Sequence, residues 1–344
     1  MKPRHRILAL VVAVVLAAAV VLIASAVPRR PQPAQSPSGE TTRSLDTLEA
    51  TRAPLRELPP SGIATAPAPL QPTEPRAFDA DAAMADVRVL EAFGVRAGGS
   101  DAEARTAAWL HAQLEGMGLD ARIEEFALPS GATSRNVIAR IEGLSDAVVV
   151  LGAHFDTKPP SPGANDNASG CAALLEIARI LTESPVVPTL EIIFFGSEET
   201  LGRDRDAHHF GSRYRVAQMS AAERRQTAGM ISLDMIGYGP AFHSRTMGRG
   251  PMLLSDMLLA HAAGLGIDMT YRKDPGSSGW SDHEAYELAG VPVSWIQWRD
   301  DPVYHTAGDV SGHLQPDRIE TAGRLVLEFL RSLDAQALKR LLER

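Results

Sequence analysis

The chain is nearly free of cysteine, since Cys171 is the only one among its 344 residues. A lone cysteine cannot form an internal disulfide bond, which excludes a fold held together by disulfides. Cys171 lies among alanines and other apolar residues that favour a helix, and a free cysteine in such surroundings is typically buried. We therefore predict that Cys171 belongs to the hydrophobic core.

The first 30 positions contain basic residues but no acidic ones. The formal net charge is −8, but residues 1–30 contain five basic residues and no acid, so setting these five charges aside leaves −13 for the rest. A body this acidic argues against a nucleic-acid partner, because the phosphate backbone is itself polyanionic. The length allows one large domain or two small ones with a targeting segment, and we find no internal repeat.

An apolar segment from Ile7 to Val27 contains no charged residue and follows three basic ones. Such a run is expected to enter a membrane. Two interpretations stay open: a retained anchor, or a signal peptide cleaved after Ala26. The run is longer than an ordinary signal-peptide core, which favours the anchor. The basic flank places everything downstream outside the cytoplasm, in the periplasm or at the cell surface. We predict export, with membrane attachment through residues 7–27.

The rest of the chain divides into a linker and a folded domain. Residues 28–75 hold 11 of the 24 prolines, which predicts a disordered linker after the N-terminal segment 1–27. From residue 76 to 344 the apolar pattern alternates between helix and strand periods. Helices are predicted at Asp79–Phe93, Asp101–Met117, Ala168–Leu181, Pro251–Ala263 and Pro316–Leu333. Strands are predicted at Asn136–Ile141, Ala147–Ala153, Leu190–Phe195, Met230–Leu233 and Val291–Trp298. This alternation predicts an α/β fold whose mostly parallel central sheet has helices on both faces.

Polar residues stand where several predicted strands end. Ligands bind beyond the carboxyl ends of strands in open α/β sheets, so these positions are candidates for a site. They are His154, Asp156, Glu198, Glu199, Asp234, Tyr304 and His305. Each motif alone also has an ordinary interpretation, such as a polar pair, a solvated surface pair or a turn cap. Asp166, in the loop 163–170 before a helix, could equally be part of an Asn/Asp-rich helix cap.

Taken together, these residues suit a pair of divalent metal ions. Two adjacent carboxylates at the end of a buried strand, Glu198 and Glu199, repel one another unless a positive charge is near. Imidazoles with carboxylates and no thiolate favour zinc or a similar metal. One of the two glutamates could bind metal while the other takes a proton from water. A carboxylate must also bridge the ions, and Asp166 is the candidate.

The order of these motifs resembles peptidase family M28, the clan of zinc aminopeptidases and glutaminyl cyclases. The matching segments are His154–Asp156, Gly163–Gly170, Glu198–Glu199, Leu233–Met235 and Tyr304–Asp309, and Arg96–Ser100 is similar to the family's entry segment. The resemblance covers nearly all of residues 79–335. It implies a zinc-exopeptidase-like fold that binds two Zn²⁺ per chain and acts on peptides with a free N-terminus.

The resemblance also implies a role for each site residue. The implied ligands are His154 and Asp234 for one zinc, Glu199 and His305 for the other, and Asp166 as the bridge. Asp156 would orient His154, and Glu198 would be the general base. The implied reaction is hydrolysis of the N-terminal peptide bond by a zinc-bridging water, with Glu198 carrying the proton to the leaving amine.

Some segments depart from the family pattern or have no assigned role. The loop Gly202–Phe210 is longer than in many relatives, and because charged insertions are usually solvated we predict no metal-binding role for His208 and His209. The segment 281–283 resembles a family segment near the site, but Ser281 or Asp282 could equally cap the next helix. The aromatic residues Trp280, Trp295, Trp298 and Tyr304 are interpreted as core or wall, without an assigned pocket.

Two alternative functions stay open. A glutaminyl-peptide cyclase shares the implied ligands, but the loop Asn165–Gly170 and Tyr304 before His305 resemble the peptidase pattern more closely. A catalytically inactive, membrane-tethered binding domain would require a lost ligand or base, and none is missing from the sequence.

Overall fold

The computed structural model of the protein describes residues 75–199 and 207–343. The predicted membrane segment 7–27 and the linker up to residue 74 lie outside these residues, so the anchor, the linker and export stay predictions. Within the two described ranges, no helix is both long and apolar enough to cross a bilayer.

Eight strands form a single sheet in the order β1-β2-β4-β3-β5-β8-β6-β7. Their bounds are β1 Ala121–Ala127, β2 Thr133–Ile141, β3 Val148–His154, β4 Thr189–Phe195, β5 Thr227–Leu233, β6 Ala241–Thr246, β7 Met269–Lys273 and β8 Val293–Arg299. The four central strands β4, β3, β5 and β8 run parallel to each other. The antiparallel pairs β1–β2, β2–β4 and β8–β6 lie toward the two edges. The predicted mixed α/β fold with a mostly parallel centre is confirmed.

Helices cover both faces of this sheet. They are α1 Ala80–Ala92, α2 Asp101–Gly116, α3 Ser169–Glu183, α4 Phe210–Gln218, α5 Ala221–Gln226, α6 Leu253–Gly264, α7 His283–Leu288, α8 Pro316–Ser332 and α9 Ala335–Leu342. Alternate residues of β3 belong to different apolar clusters, as the two-residue period of a strand requires. Val149 and Leu151 pack with the α3 side, including Cys171, whereas Val148 and Val150 pack with the α4 and α7 side. The buried position predicted for Cys171 is confirmed.

The sequence pattern located most of the buried elements and missed two exposed strands. All five predicted helices and five predicted strands are present, with ends displaced by at most three residues. Strands β1 and β7 were missed because most of their side chains face solvent, which removes the apolar signal on which the prediction depended. Strand β6 and helices α4, α5 and α9 were not predicted either.

Arg96 connects helix α1 to the chain that follows β3. Its side chain is fully buried, and its guanidinium donates hydrogen bonds to main-chain carbonyls rather than to a carboxylate. The acceptors are the carbonyls of Leu90 (3.0 Å), Gly94 (3.2 Å), Phe155 (2.7 Å), Pro162 (2.6 Å) and Gly163 (3.1 Å). Arg96 thereby fixes both sides of the segment 155–163, which leads from β3 to the loop that carries Asp166.

Replacing Arg96 with methionine is expected to lower the free energy of unfolding by about 3 kcal/mol or more, because several buried carbonyls lose their donor at once. Urea unfolding measures this as a lower midpoint at an unchanged slope. The control is Arg88→Met on the exposed face of α1, which should change stability by no more than about 0.5 kcal/mol. Equal midpoints for the two variants would contradict the role given to Arg96.

Candidate metal centre

The first half of the candidate site forms where β3 and β5 end side by side. His154 is the last residue of β3, and Asp234 directly follows β5. His154 Nε2 lies 3.1 Å from Asp166 Oδ1 and 3.5 Å from Asp234 Oδ1. The indole of Trp295 donates to the main-chain carbonyl of Asp234 (3.2 Å) and holds it in place. All three site side chains are buried.

The second half forms on the other side of Asp166. His305 Nε2 lies 3.1 Å from Asp166 Oδ2 and 2.9 Å from Glu199 Oε1. Each oxygen of the Asp166 carboxylate therefore faces a different imidazole, one from each half. The structure brings together all five residues predicted as ligands, with Asp166 between the two histidines. Their roles as metal ligands stay predictions.

The loop that carries Asp166 is held by hydrogen bonds to distant residues. Asp309 accepts from the main-chain N–H groups of Asn165 (2.6 Å) and Asp166 (3.1 Å). The Asn167 side-chain amide donates to the carbonyl of Leu233 at the end of β5 (2.9 Å). Helix α3 begins after Ala168, which is its N-cap residue and makes no side-chain capping hydrogen bond. The alternative interpretation of Asp166 as the helix cap is therefore wrong.

Asp156 has a wider structural role than the one predicted for it. Its main-chain carbonyl lies 3.2 Å and its carboxylate 3.5 Å from His154 Nδ1. The same carboxylate accepts from the main-chain N–H groups of Glu198 (2.9 Å) and Glu199 (3.1 Å). Asp156 therefore ties the histidine at the end of β3 to the glutamate pair after β4, while its catalytic role stays a prediction.

A close approach of two loops explains why position 98, in the segment Arg96–Ser100, is a glycine. Ser197, just before the glutamate pair, has a positive φ of 52°. A Cβ atom on Gly98 would lie 2.2 Å from Ser197 Oγ, so no side chain fits there. Ser197 in turn donates to Ser134 Oγ (2.9 Å). The turn that presents Glu198 and Glu199 is therefore packed tightly against the chain preceding α2.

The charges of the cluster fit a compensating cation. Burial, together with Asp166 and Glu198, raises the pKa of Glu199 to about 8. Burial disfavours the charged form of His154, but Glu198 and Asp234 outweigh it and hold its pKa well above the usual value. One divalent ion near these carboxylates would favour their ionised forms and the neutral imidazole that binds metal.

Buried polar atoms that make no hydrogen bond also fit a metal. Glu199 Oε1 lies 2.9 Å from His305 Nε2 and Asp234 Oδ1 lies 3.5 Å from His154 Nε2, yet the Glu199, Asp234 and His305 atoms have no hydrogen-bond partner. Such buried atoms in folded proteins are nearly always satisfied. The cluster contains two groups of three potential ligands, and within each group the ligand atoms lie within 4.8 Å of one another. The groups are His154, Glu198 and Asp234, and Asp166, Glu199 and His305. The donor set of imidazoles and carboxylates suits zinc. The first group includes Glu198, which the sequence analysis assigned as the general base and not as a metal ligand.

The two histidines of the long loop are buried next to Glu198. His208 and His209 are 7% and 3% exposed, so the expectation of a solvated segment is wrong for both. His209 Nε2 lies 3.0 Å from Glu198 Oε1. Residues 200–206 of this loop lie outside the described part of the chain. The segment 281–283 likewise does not cap α7 with a side chain; Ser281 Oγ instead lies 3.1 Å from Ser232 Oγ.

A cavity of about 230 Å³ opens from the cluster. Its walls include Met235, Trp295 and Gln297. Trp280 and Tyr304, each 49% exposed, line both this cavity and a second groove that also borders Glu198 and Glu199. Three of the four noted aromatic residues thus form walls of the site. The fourth, Trp298, is buried and stacked on a core phenylalanine.

The cavity wall contains a buried cation that the sequence did not indicate. The Arg245 guanidinium lies between Trp280 and Trp295, 5.4 Å and 4.1 Å from their rings. It contacts Asp274 at 2.7 Å and donates to Gln297 Oε1 at 2.7 Å. Because these contacts join β6, β8 and the chain after β7, Arg245 holds the wall of the cavity rigid.

The sequence carries a family signature that agrees with this geometry. Residues 136–330 match the model of Peptidase family M28, and these residues are more than half of the chain. The chain belongs to peptidase family M28. This confirms the resemblance seen in the ordered motifs, and zinc is the metal that M28 aminopeptidases imply for the cluster.

One M28 relative is Aminopeptidase YwaD from Bacillus subtilis. It is 32% identical over 189 residues, which are 52% of this chain and 39% of that protein. The chain therefore matches less than half the length of this relative. A match of this extent does not show that the two proteins have the same activity.

Solved structures of two kinds share the fold. A zinc aminopeptidase from Bacillus subtilis has a TM-score of 0.68 at 19% identity, over 75% of this chain and 95% of that one. A glutaminyl cyclase from Bacteroides thetaiotaomicron has a TM-score of 0.68 at 24% identity, over 76% of this chain and all (100%) of that one. At these identities the likeness concerns the fold alone, and the fold does not separate a peptidase from a cyclase.

Proposed function

We propose that this M28 protein is a zinc-dependent aminopeptidase that hydrolyses the N-terminal peptide bond of peptides, with Glu198 as general base. One observation carries the proposal: the Asp166 carboxylate lies between His154 and His305, 3.1 Å from each, with the remaining ligand candidates around it. The buried carboxylate of Glu198 stands beside this arrangement, where a proton carrier is needed.

The residues present fit two metal ions. His154 and Asp234 would hold one zinc, Glu199 and His305 the other, and Asp166 would be shared by both. When bound, the ions supply Lewis acidity, which polarises a carbonyl oxygen and lowers the pKa of a water molecule. The fit is supported by the buried side-chain atoms of Glu199, Asp234 and His305 that make no hydrogen bond.

Glu198 then has the task of moving a proton. Its carboxylate would accept a proton from the attacking water and return it to the nitrogen of the leaving peptide. Burial disfavours its ionised form, but His154 and His209 outweigh that effect and lower the pKa of Glu198, so it is ionised and able to accept at neutral pH. The main-chain hydrogen bond to Asp156 fixes the backbone from which this carboxylate extends.

Two depressions allow a peptide to lie across the cluster. We assign the cavity walled by Met235, Trp295 and Gln297 to the N-terminal side chain of the substrate. The groove beyond Trp280 and Tyr304 would take the rest of the peptide. The carboxylates of the cluster would attract the free α-ammonium group, which restricts cleavage to the first residue.

The test is a substrate panel with the full-length protein, purified in detergent and supplied with zinc. We expect turnover of aminoacyl p-nitroanilides with a free α-amine and none of the matched N-acetylated substrates. A peptide that begins with glutamine separates the alternatives by mass spectrometry. Release of free glutamine supports the peptidase, whereas formation of a pyroglutamyl peptide would identify a glutaminyl-peptide cyclase. Failure to convert any of these substrates would favour a binding domain.

A further inference from the structure

The Glu198 carboxylate has a neighbour that the proposed reaction does not use. His209 Nε2 lies 3.0 Å from Glu198 Oε1, and the other ring nitrogen, Nδ1, lies 2.6 Å from Glu284 Oε2. The three residues are 7%, 3% and 4% exposed in the order Glu198, His209 and Glu284. The His209 imidazole therefore joins two carboxylates in a chain of buried side chains.

The partners of the His209 ring decide its charge. An ionised carboxylate only accepts hydrogen bonds, so each ring nitrogen must carry a hydrogen to bond its neighbour. His209 is then an imidazolium between two carboxylates, an arrangement that gives short and strong hydrogen bonds. Burial disfavours this charge, but Glu198 and Glu284 outweigh it and raise the pKa of His209 to about 10.

Main-chain contacts fix the position of His209 independently of its ring. The N–H of His209 donates to the carbonyl of Glu198 (2.8 Å). The Asn136 side chain donates to the carbonyl of Gly211 (3.0 Å) and accepts from the N–H of Gly196 (3.3 Å), which joins the start of α4 to the end of β4. The loop thus returns to the strand end that carries Glu198 and places the ring within reach of its carboxylate.

We propose that His209 is a positioning residue that holds one oxygen of the Glu198 carboxylate and leaves the other oxygen to exchange protons with the substrate. Glu284 fixes the far side of the ring, and Arg213 Nη2 in turn donates to the same Glu284 oxygen (3.1 Å). A carboxylate that rotates freely presents either oxygen in many orientations, and the ring removes that freedom. This inference rests on the proposed role of Glu198 as general base.

The first test replaces His209 in the full-length protein. His209→Gln is expected to lower kcat roughly 10- to 100-fold, as is typical when a partner that orients a site residue is removed. Zinc content should stay at the wild-type value, because His209 contacts none of the predicted ligands. His209 borders the second groove but not the cavity assigned to the N-terminal side chain, so on an aminoacyl p-nitroanilide kcat should fall by a larger factor than KM rises. The matched control is His111→Gln on helix α2, whose Nε2 lies 3.0 Å from the main-chain carbonyl of Ala121; it lines neither the cavity nor the groove and should keep wild-type kcat.

A double-mutant cycle tests whether Glu284 acts through His209. Glu284→Gln should lower kcat by a smaller factor, and the double variant His209→Gln/Glu284→Gln should equal His209→Gln alone. Fully additive losses would contradict the chain of contacts. Wild-type kcat in His209→Gln, or a loss of zinc that accounts for its lower kcat, would overturn the positioning role.

A spectroscopic readout reports the contact without turnover. With ¹⁵N-labelled histidine, NMR should show two slowly exchanging ring N–H signals that vanish in His209→Gln, and the Nε2–H signal should shift in Glu198→Gln. A protein that shows both signals but hydrolyses nothing supports the contact and contradicts only the proposed reaction. An active peptidase without these signals overturns the inference.

Discussion

Replacing Glu198 with glutamine is expected to lower kcat about a thousandfold while zinc stays bound, because general acid–base groups contribute roughly 10²- to 10⁴-fold. Glutamine matches the size of glutamate but cannot accept a proton at neutral pH. The main-chain hydrogen bonds of Glu198 to Asp156 (2.9 Å) and from His209 (2.8 Å) do not depend on the side chain. The substitution should therefore leave the fold of the turn intact. Kinetics on an aminoacyl p-nitroanilide and metal analysis of the same sample measure both quantities.

The adjacent glutamate provides the control for this experiment. Glu199→Gln changes the same chemical group one residue away, but Glu199 Oε1 lies 2.9 Å from His305 Nε2 among the predicted ligands, so this variant should lose zinc as well as activity. The comparison decides whether Glu198 is the base or a metal ligand, since a Glu198 oxygen also groups with His154 and Asp234. If Glu198→Gln loses zinc as Glu199→Gln does, then Glu198 is a ligand and not the base.

The sequence was sufficient to predict the site residues that lie at the ends of strands. His154 and Asp234 directly follow buried apolar runs, and parallel strands bring their carboxyl ends to one edge of the sheet. Continuous apolar runs identify such strands well, because both of their faces are buried. Five of the helices around the sheet were located because each carries an apolar face with a helical period, whereas α4, α5 and α9 were not predicted.

Contacts between distant segments could not be predicted in the same way. His209 contacts Glu284, 75 residues further along the chain, and Asp309 holds the main chain of Asn165, 144 residues earlier. His305 comes six residues after β8 ends and adopts a positive φ of 57°. The direction of the His305 side chain is therefore set by the loop and not by strand β8. Such pairs leave no periodic signal, because they depend on how the loops pack once the sheet has formed.

His209 shows most clearly where the sequence interpretation failed. The segment 202–210 is rich in charged residues, and its composition favours a solvated loop. The structure buries His209 because two carboxylates and a main-chain contact satisfy it. A charged residue at the end of a polar loop can thus be a buried part of a site when its partners lie on other elements. The one local signal was its position just before Gly211 and Ser212, where the family pattern resumes.

Replacing Asp166 with asparagine is expected to remove both zinc ions, whereas replacing Asp234 with asparagine should remove one. Only Asp166 presents one oxygen to each half of the cluster, at 3.1 Å from His154 and 3.1 Å from His305. Asparagine keeps the size of the side chain but has one oxygen and no charge, so one ion would lose a ligand and the other would keep only a weaker, uncharged one. Activity should fall below that of Glu198→Gln, because both the metals and the chemistry they supply are lost.

Zinc content per chain and thermal unfolding with and without a chelator distinguish these variants. Ligands that bind only the folded state raise its stability, so the wild-type protein should lose thermal stability on chelation. Asp166→Asn should unfold at the same temperature with and without the chelator, and Asp234→Asn should show a smaller shift than wild type. Asp166→Asn that retains one firmly bound zinc would show that the carboxylate serves a single ion. The two halves of the cluster would then be separate sites that share only their position on the sheet.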